Sequence, residues 1–263
     1  EYTNTDKELD SAFNFDLATA ILKSLNESNN TSVRFLLQTT LRDFPQQDNS
    51  NFLTNHDMPR VMNQLGENQD GKANAAAGIL LTAPGIPFIY YGEEIGMSGT
   101  KPDELIRTPM QWTGEEGAGF TAGTPWEPVN SDFATRNVAQ QTGDSTSLLE
   151  GYRKLIQLRN AHSALRTGET YVAESKSNKL VVYLRADEDE TLLVVINIDD
   201  APVADYQLEL GRGPLAGNYT AALLLDDSTI NTLQANDAGG FDAYTPLAEV
   251  PAYGVMVIQL TPQ

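Results

Sequence analysis

The chain has 263 residues, 40% hydrophobic and 20% charged, enough for one large or two ordinary domains with real cores. Its 36 acidic against 17 basic side chains leave a net charge of −19, a surface that repels phosphate backbones and argues against nucleic acid and anionic membranes as partners, while a neutral ligand is compatible with it. Without cysteine there is no disulfide, thiolate metal site or cysteine nucleophile, and no apolar run is long enough to span a bilayer.

The first six residues carry neither a basic n-region nor an apolar h-region. Residues 10–16 alternate Phe13 and Phe15 with polar residues, which predicts a short strand. Leu17, Ile21 and Leu25 follow at helical spacing and predict a helix ending in the polar turn 26–31. Val33, Leu36, Leu37, Thr40, Leu41 and Phe44 form a second apolar stripe, with Pro45 after its end. Residues 51–54 read as an apolar strand that delivers Asn55, His56, Asp57 and Arg60, with Pro59 stopping further pairing. Gly71 opens an alanine-rich helix over 72–82, stopped by Pro84 and Gly85. The continuous apolar run 86–91 predicts a parallel strand covered on both faces, and it turns polar at Gly92-Glu93-Glu94.

Strand, helix, strand, helix, strand is the alternation of a parallel α/β sheet. Residues 97–146 break it with a loop rich in Gly, Pro and Thr that carries Trp112, Phe120 and Trp126. Loops of this length in a compact domain are usually functional. Ser147 and Glu150 have the spacing of a capping box before a helix with Leu148, Tyr152, Leu155 and Ile156 on one face, closed by Gly168. Beyond Gly168 the texture changes to short strands at 179–186, 191–199, 206–210, 219–225 and 253–260, an all-β sandwich. The division read from this is 1–168 and 169–263.

A strand end that hands polar groups to the following loop is where parallel α/β folds place active sites. From spacing alone, Asp57 as a helix cap in a polar turn competes evenly with a catalytic carboxylate. Glu93 and Glu94 leave their strand in opposite directions and read as loop structure, and His162 at a helix end reads as structural or solvent-facing. Asp70-Gly71 and Asp226-Asp227 lack the ligand spacing of a calcium loop.

Phe52-Leu53-Thr54-Asn55-His56-Asp57 resembles the fourth signature region of the α-amylase family of glycoside hydrolases, at the end of barrel strand seven. Gly85-Ile86-Pro87-Phe88-Ile89-Tyr90-Tyr91-Gly92-Glu93-Glu94-Ile95-Gly96 resembles barrel strand eight and its loop. Arg107-Thr108-Pro109-Met110-Gln111-Trp112, with Gly119-Phe120-Thr121 and Thr124-Pro125-Trp126, is similar to the post-barrel loop of α-glucosidases and oligo-1,6-glucosidases. The helix from Tyr152 to Arg159 looks like the last barrel helix, and the β region matches the family's C-terminal domain. The resemblance implies the C-terminal part of a (β/α)8 TIM barrel, strands six to eight, followed by the all-β sandwich.

It also implies roles. Asp57 falls on the family's third essential carboxylate, which holds sugar hydroxyls and stabilises the distorted transition state. His56 falls on the histidine that hydrogen-bonds the sugar in the same subsite, and Arg60 where many α-glucosidase-like members carry an arginine near it. A retaining glycosidase also needs a nucleophile and a general acid, roughly 5 Å apart. In the family these close barrel strands four and five, and the nucleophile's Arg-x-Asp motif does not occur before Asp10. Glu1 is a poor acid because no strand precedes it. The chain is therefore expected to start just after strand five and to need the N-terminal half of the barrel, as a second chain or an upstream stretch, for activity.

The expected substrate is an α-1,4-linked glucan or maltooligosaccharide, with no cofactor or metal in this chain and any calcium in the other half. An exo-acting α-glucosidase or oligo-1,6-glucosidase fits the residues too, as does a non-catalytic carbohydrate-binding module using Trp112, Trp126 and His56, or an interaction subunit. A secreted or extracytoplasmic setting is the expected location.

Overall fold

The computed structural model describes residues 9–44, 48–66 and 69–263. Glu1 and Pro45, the expected stop of the second helix, lie outside them. The first half alternates strands and helices: β1 (Ala12–Phe13), α1 (Phe15–Glu27), α2 (Thr31–Asp43), β2 (Asn49–Asn51), α3 (Val61–Leu65), α4 (Asp70–Thr82) and β3 (Ile86–Pro87). The strands pair in parallel in the order β1-β2-β3.

The strands are shorter than their apolar runs. Phe15 is the first residue of α1 instead of a strand residue, because Asn14 caps the helix by accepting from the Leu17 amide at 3.0 Å. Pairing on β2 ends at Asn51, where its carbonyl accepts from the Phe88 amide at 2.7 Å, so Phe52–Thr54 and Pro59 lie outside the ladder. The run 86–91 is not covered on both faces: Ile86, Phe88, Ile89 and Tyr91 are exposed. The helices pack on one side of this open sheet only. On the other, Phe13 and Phe88 meet edge to face at 5.0 Å between ring centroids, and Phe13 and Phe15 both lie against Phe52.

The long loop contains the short helices α5 (Asp103–Ile106) and α6 (Val138–Gln141). Then follow α7 (Leu148–Ala161) and α8 (Ser163–Thr167), so Gly168 closes the second of two helices, broken at His162. Half of the expected capping box forms. Ser147 Oγ accepts from the Glu150 amide, but the Glu150 carboxylate turns to the Gly143 amide at 2.9 Å and to Arg153 at 2.6 Å. His162 is structural, its Nδ1 lying 2.6 Å from Glu190.

The remaining strands are β4 (Glu169–Val172), β5 (Glu174–Ser175), β6 (Leu180–Ala186), β7 (Thr191–Asn197), β8 (Leu208–Leu210), β9 (Asn218–Leu223), β10 (Leu233–Gln234), β11 (Phe241–Tyr244) and β12 (Val255–Pro262). They form a six-stranded sheet, β10-β9-β12-β7-β6-β4, and a three-stranded one, β11-β8-β5. Successive side chains of a strand point to opposite faces. Leu180, Val182, Leu184, Leu193 and Val195 therefore join Leu208, Phe241 and Ile258 in the core between the sheets. Val181, Tyr183, Leu192, Val194 and Ile196 join the helices α1, α2, α4 and α7 in the other core. The large sheet is thus buried on both faces, which is why β6 and β7 read as unbroken apolar runs.

Contact between the halves depends on small residues of α4. An added Cβ on Gly78 would sit 2.6 Å from Val255 Cγ2, and one on Gly71 would sit 2.8 Å from the Tyr253 ring. The end of α4 is held by arginines. Arg159 donates to the carbonyls of Leu81, Ala83 and Gly85 at 2.9, 3.2 and 2.6 Å, and Arg185 on β6 donates to Thr82 and Gly168 at 2.9 and 3.0 Å.

Candidate functional site

The buried Phe52 and Leu53 anchor the segment leaving β2, and Asn55 turns it. The Asn55 side chain accepts from the Asp57 amide at 2.9 Å and its carbonyl from the Met58 amide at 3.2 Å. An Asx turn of this kind costs no special backbone conformation and points the two following side chains away from the core. Asp57 is not a helix cap; the residue flanking α3 is Arg60.

The turn is gripped from fifty residues further along, by Arg107 at the end of α5. Its Nε donates to the His56 carbonyl at 2.9 Å, and its Nη2 donates to Asp57 Oδ1 and Asp103 Oδ2, both at 2.9 Å. His56 Nε2 lies 3.3 Å from Asp57 Oδ2. Lys101 beside Asp103 holds the Asp103 carboxyl below the usual carboxylate range, with Arg107 adding to the effect. Held this way, the Asp57 side chain is still 61% exposed. A carboxylate with one oxygen fixed and its body open can accept hydroxyl donors from a ligand. Arg107 is legible only as a member of the Arg107-Thr108-Pro109 stretch and Asp103 not at all; the contact of Arg107 with Asp57 has no local signature.

Arg60 sits differently. It is 2% exposed, with its guanidinium carbon 4.8 and 4.7 Å from the ring centroids of Tyr90 and Tyr91, and Nη1 donates to the Tyr91 carbonyl at 2.7 Å. Its Nε and Nη2 make no hydrogen bond, and the two aromatic faces add to the Tyr91 carbonyl in compensating a desolvated cation. Burial lowers its proton affinity. Structurally, Arg60 is the base on which the Tyr90-Tyr91 turn rests, not a group reaching out beside Asp57.

Glu93 lies in the turn after Tyr91, where it accepts from the Tyr152 hydroxyl at 2.7 Å. Burial pushes its carboxyl up to about 8, against the hydrogen bond from Tyr152, so it is neutral through most of the acid range. Among the described residues no group of three or more acidic or histidine side chains is arranged to hold a metal ion, and no helix is long and apolar enough to cross a membrane.

On the far side of Arg107 is an apolar cup of about 200 Å3, lined by Tyr91, Pro109, Met110, Phe120 and Trp126. Trp126 is 72% exposed and Phe120 50%.

Comparison with known proteins matches residues 1–168 to the family described as alpha amylase, catalytic domain, and residues 171–261 to alpha amylase, C-terminal all-beta domain. Alpha-amylase 3 of Dictyoglomus thermophilum is 35% identical over 199 residues, covering 73% of this chain and 39% of its own length. Probable oligo-1,6-glucosidase 2 of Bacillus subtilis is 33% identical over 249 residues, covering 75% of this chain and 44% of its own. The crystal structure of alpha-amylase from H.orenii superposes with a TM-score of 0.74 at 30% identity, over 99% of this chain and 51% of that one. The chain thus spans well under half the length of these curated relatives. Its three parallel strands are a segment of the TIM barrel that such structures share. The chain belongs to the α-amylase family of glycoside hydrolases, with part of the catalytic domain followed by the C-terminal all-beta domain.

Proposed function

We propose that this chain supplies the transition-state-stabilising side of a retaining α-glucan hydrolase. Asp57 accepts hydroxyls of the sugar undergoing cleavage, His56 donates to another, and Arg107 holds both in place. As the ring flattens toward an oxocarbenium ion, hydroxyl contacts strengthen, so a fixed carboxylate there is worth several kcal/mol. The observation that carries the reading is the Asp57 carboxylate, clamped by Arg107 at 2.9 Å yet open to solvent at the end of β2. Arg60 acts through the Tyr90-Tyr91 turn, which it supports from below.

The nucleophile and the acid come from outside this chain, together with the strands that complete the barrel. Eight strands are needed to close such a barrel, and the exposed Phe13, Phe15, Ile86 and Phe88 are the surface that those strands cover. Gripping hydroxyls requires no cofactor or metal from these residues, and any calcium belongs with the other strands. The partners are therefore a neutral α-glucan and the rest of the barrel, with no nucleic acid or membrane, in keeping with a charge of −19. Exo action on α-1,6 linkages is the second reading, favoured by the likeness to oligo-1,6-glucosidases at 33 to 34% identity.

The test is an Asp57→Asn exchange in the complete barrel, assayed on maltotriose and isomaltose. Turnover should fall ~10²-fold or more with an unchanged circular dichroism spectrum. Activity within twofold of the unaltered protein, or turnover by the 263-residue chain alone, refutes the assignment.

A further inference from the structure

Arg107 has to meet two groups of the Asp57 turn at once, and the backbone it hangs from is held on both sides. It directly follows the one-turn helix α5, and a helix so short leaves its carbonyls without internal partners. The carbonyl of Ile106, on one side of Arg107, accepts from the Tyr90 hydroxyl at 3.0 Å. That of Thr108, on the other side, accepts from the Tyr91 hydroxyl at 2.7 Å. Ile106 and Thr108 are both buried, so water competes little for either carbonyl.

Adjacent residues of a strand point to opposite faces. Here the chain turns at Gly92, where φ is 80°, and both rings lie on the Arg60 guanidinium. The rings meet edge to face at 4.9 Å between centroids. Arg60 also donates from its amide to the Gly99 carbonyl at 2.9 Å, at the root of the segment that carries α5. Burial pushes the Tyr90 hydroxyl up to about 12, so it keeps the proton it donates. Stacking on Arg60 needs only the rings. The hydroxyls find their use at the two carbonyls beside Arg107.

We propose that Tyr90 and Tyr91 are positioning residues for the reaction at Asp57. Their hydroxyls pin the backbone at Arg107, so that its Nε reaches the His56 carbonyl and its Nη2 reaches Asp57, both at 2.9 Å. The role of Asp57 in this proposal rests on the proposed function. An arginine on a loose backbone reaches many places, and a misplacement of about 1 Å beside a reacting group can cost ~10²-fold in rate.

Tyr90→Phe and Tyr91→Phe keep both rings on Arg60 and remove only the donors. In the assembled barrel the double variant should lose ~10-fold or more in kcat on maltotriose, with KM within about threefold, because the clamped carboxylate acts in the transition state. Each single exchange keeps one pin and should cost about threefold. On an Arg107→Lys background the same pair should cost less than about twofold more, since the clamp it serves is already gone. Undiminished kcat in the double variant, a loss confined to KM, or losses that multiply fully with that of Arg107→Lys overturn the proposal.

The 263-residue chain gives a second readout that needs no hydrolysis. It has two histidines, and His56 lies at the clamp while His162 pairs with Glu190, so proton NMR at fixed pH reads the turn against an internal control. The double variant should move the His56 ring signals as Arg107→Lys does and leave those of His162 in place. Each single exchange should move them part of the way. His56 signals that stay put in the folded variants overturn the proposal. Absence of hydrolysis by the assembled, unaltered protein would count against the proposed function, while the His56 signals still decide the tyrosines.

Discussion

The fit of α4 against the β domain can be tested on this chain alone, at Gly78. In Gly78→Ala the new methyl meets Val255 Cγ2 at 2.6 Å, Val255 Cγ1 at 3.1 Å and Ile196 Cδ1 at 3.4 Å. Two effects oppose each other. Alanine in a helix interior is favoured over glycine by about 1 kcal/mol. Forcing a methyl into a filled site costs about 1–3 kcal/mol, toward the upper end here because valine is stiff and sits in a paired strand. The net expectation is a loss of about 1–2 kcal/mol, or a midpoint lowered by roughly 2–8 °C for a chain of this size. Val255→Ala alone removes two methyl groups from a half-buried site and costs about 1–2 kcal/mol. In the double variant the alanine methyl occupies the space vacated by Val255. The two losses should therefore combine to less than their sum by about 1 kcal/mol or more in urea unfolding followed by circular dichroism. Additivity within about 0.5 kcal/mol would refute the claimed contact.

Glu93→Gln should change the pH dependence of stability. The folded carboxyl titrates at about 8 against an ordinary 4.5, so the folded chain keeps a proton that the unfolded chain releases in that interval, and its stability falls as pH rises through it. Glutamine replaces the neutral acid and still accepts from Tyr152, so the variant's advantage should be absent at pH 4.5, grow by roughly 1.4 kcal/mol per unit at most and level off above pH 8. An advantage that is flat with pH, measured by urea unfolding from pH 4.5 to 9, refutes it. Arg107→Lys keeps the charge but cannot bridge the His56 carbonyl, Asp57 and Asp103 together, so kcat/KM of the assembled enzyme should drop roughly a hundredfold. Steady-state kinetics with a loss under threefold would show that Asp57 needs no clamp.

The helices were readable because their apolar stripes face a core that exists within the chain: Leu17, Ile21, Val33 and Leu37 are buried as their spacing requires. The strands of the first half are shorter than their apolar runs because apolarity records burial, while a strand is bounded by where its ladder bonds stop. Phe88 and Ile89 keep the composition of an inner strand, but the pairing ends at the Phe88 amide. Phe15 carried a contrary signal in the Asn14 cap, which the alternation with Phe13 obscured. At the site, Asp57 and His56 stood out from a contiguous motif. Arg107 did not, because its partners at the site, His56 and Asp57, are fifty residues away, and the burial of Arg60 depends on two tyrosines from another turn. Strands β4, β5, β10 and β11 have no legible signature because each is short and carries exposed positions.

The arginine grip on the end of α4 bears on how such chains diversify. A helix leaves its last carbonyls without internal partners, and here those of Leu81 and Ala83 are taken by Arg159 and that of Thr82 by Arg185. Arg185 belongs to the β domain, although the helix it completes lies deep in the stretch matched to the catalytic domain. Swapping β domains between relatives at the boundary of the two family matches would therefore separate an acceptor from its donor. A graft keeps this contact when the incoming β6 carries a guanidinium able to reach Thr82 and Gly168. The contact that a transplant must preserve therefore runs through the end of α4 and does not stop at Gly168.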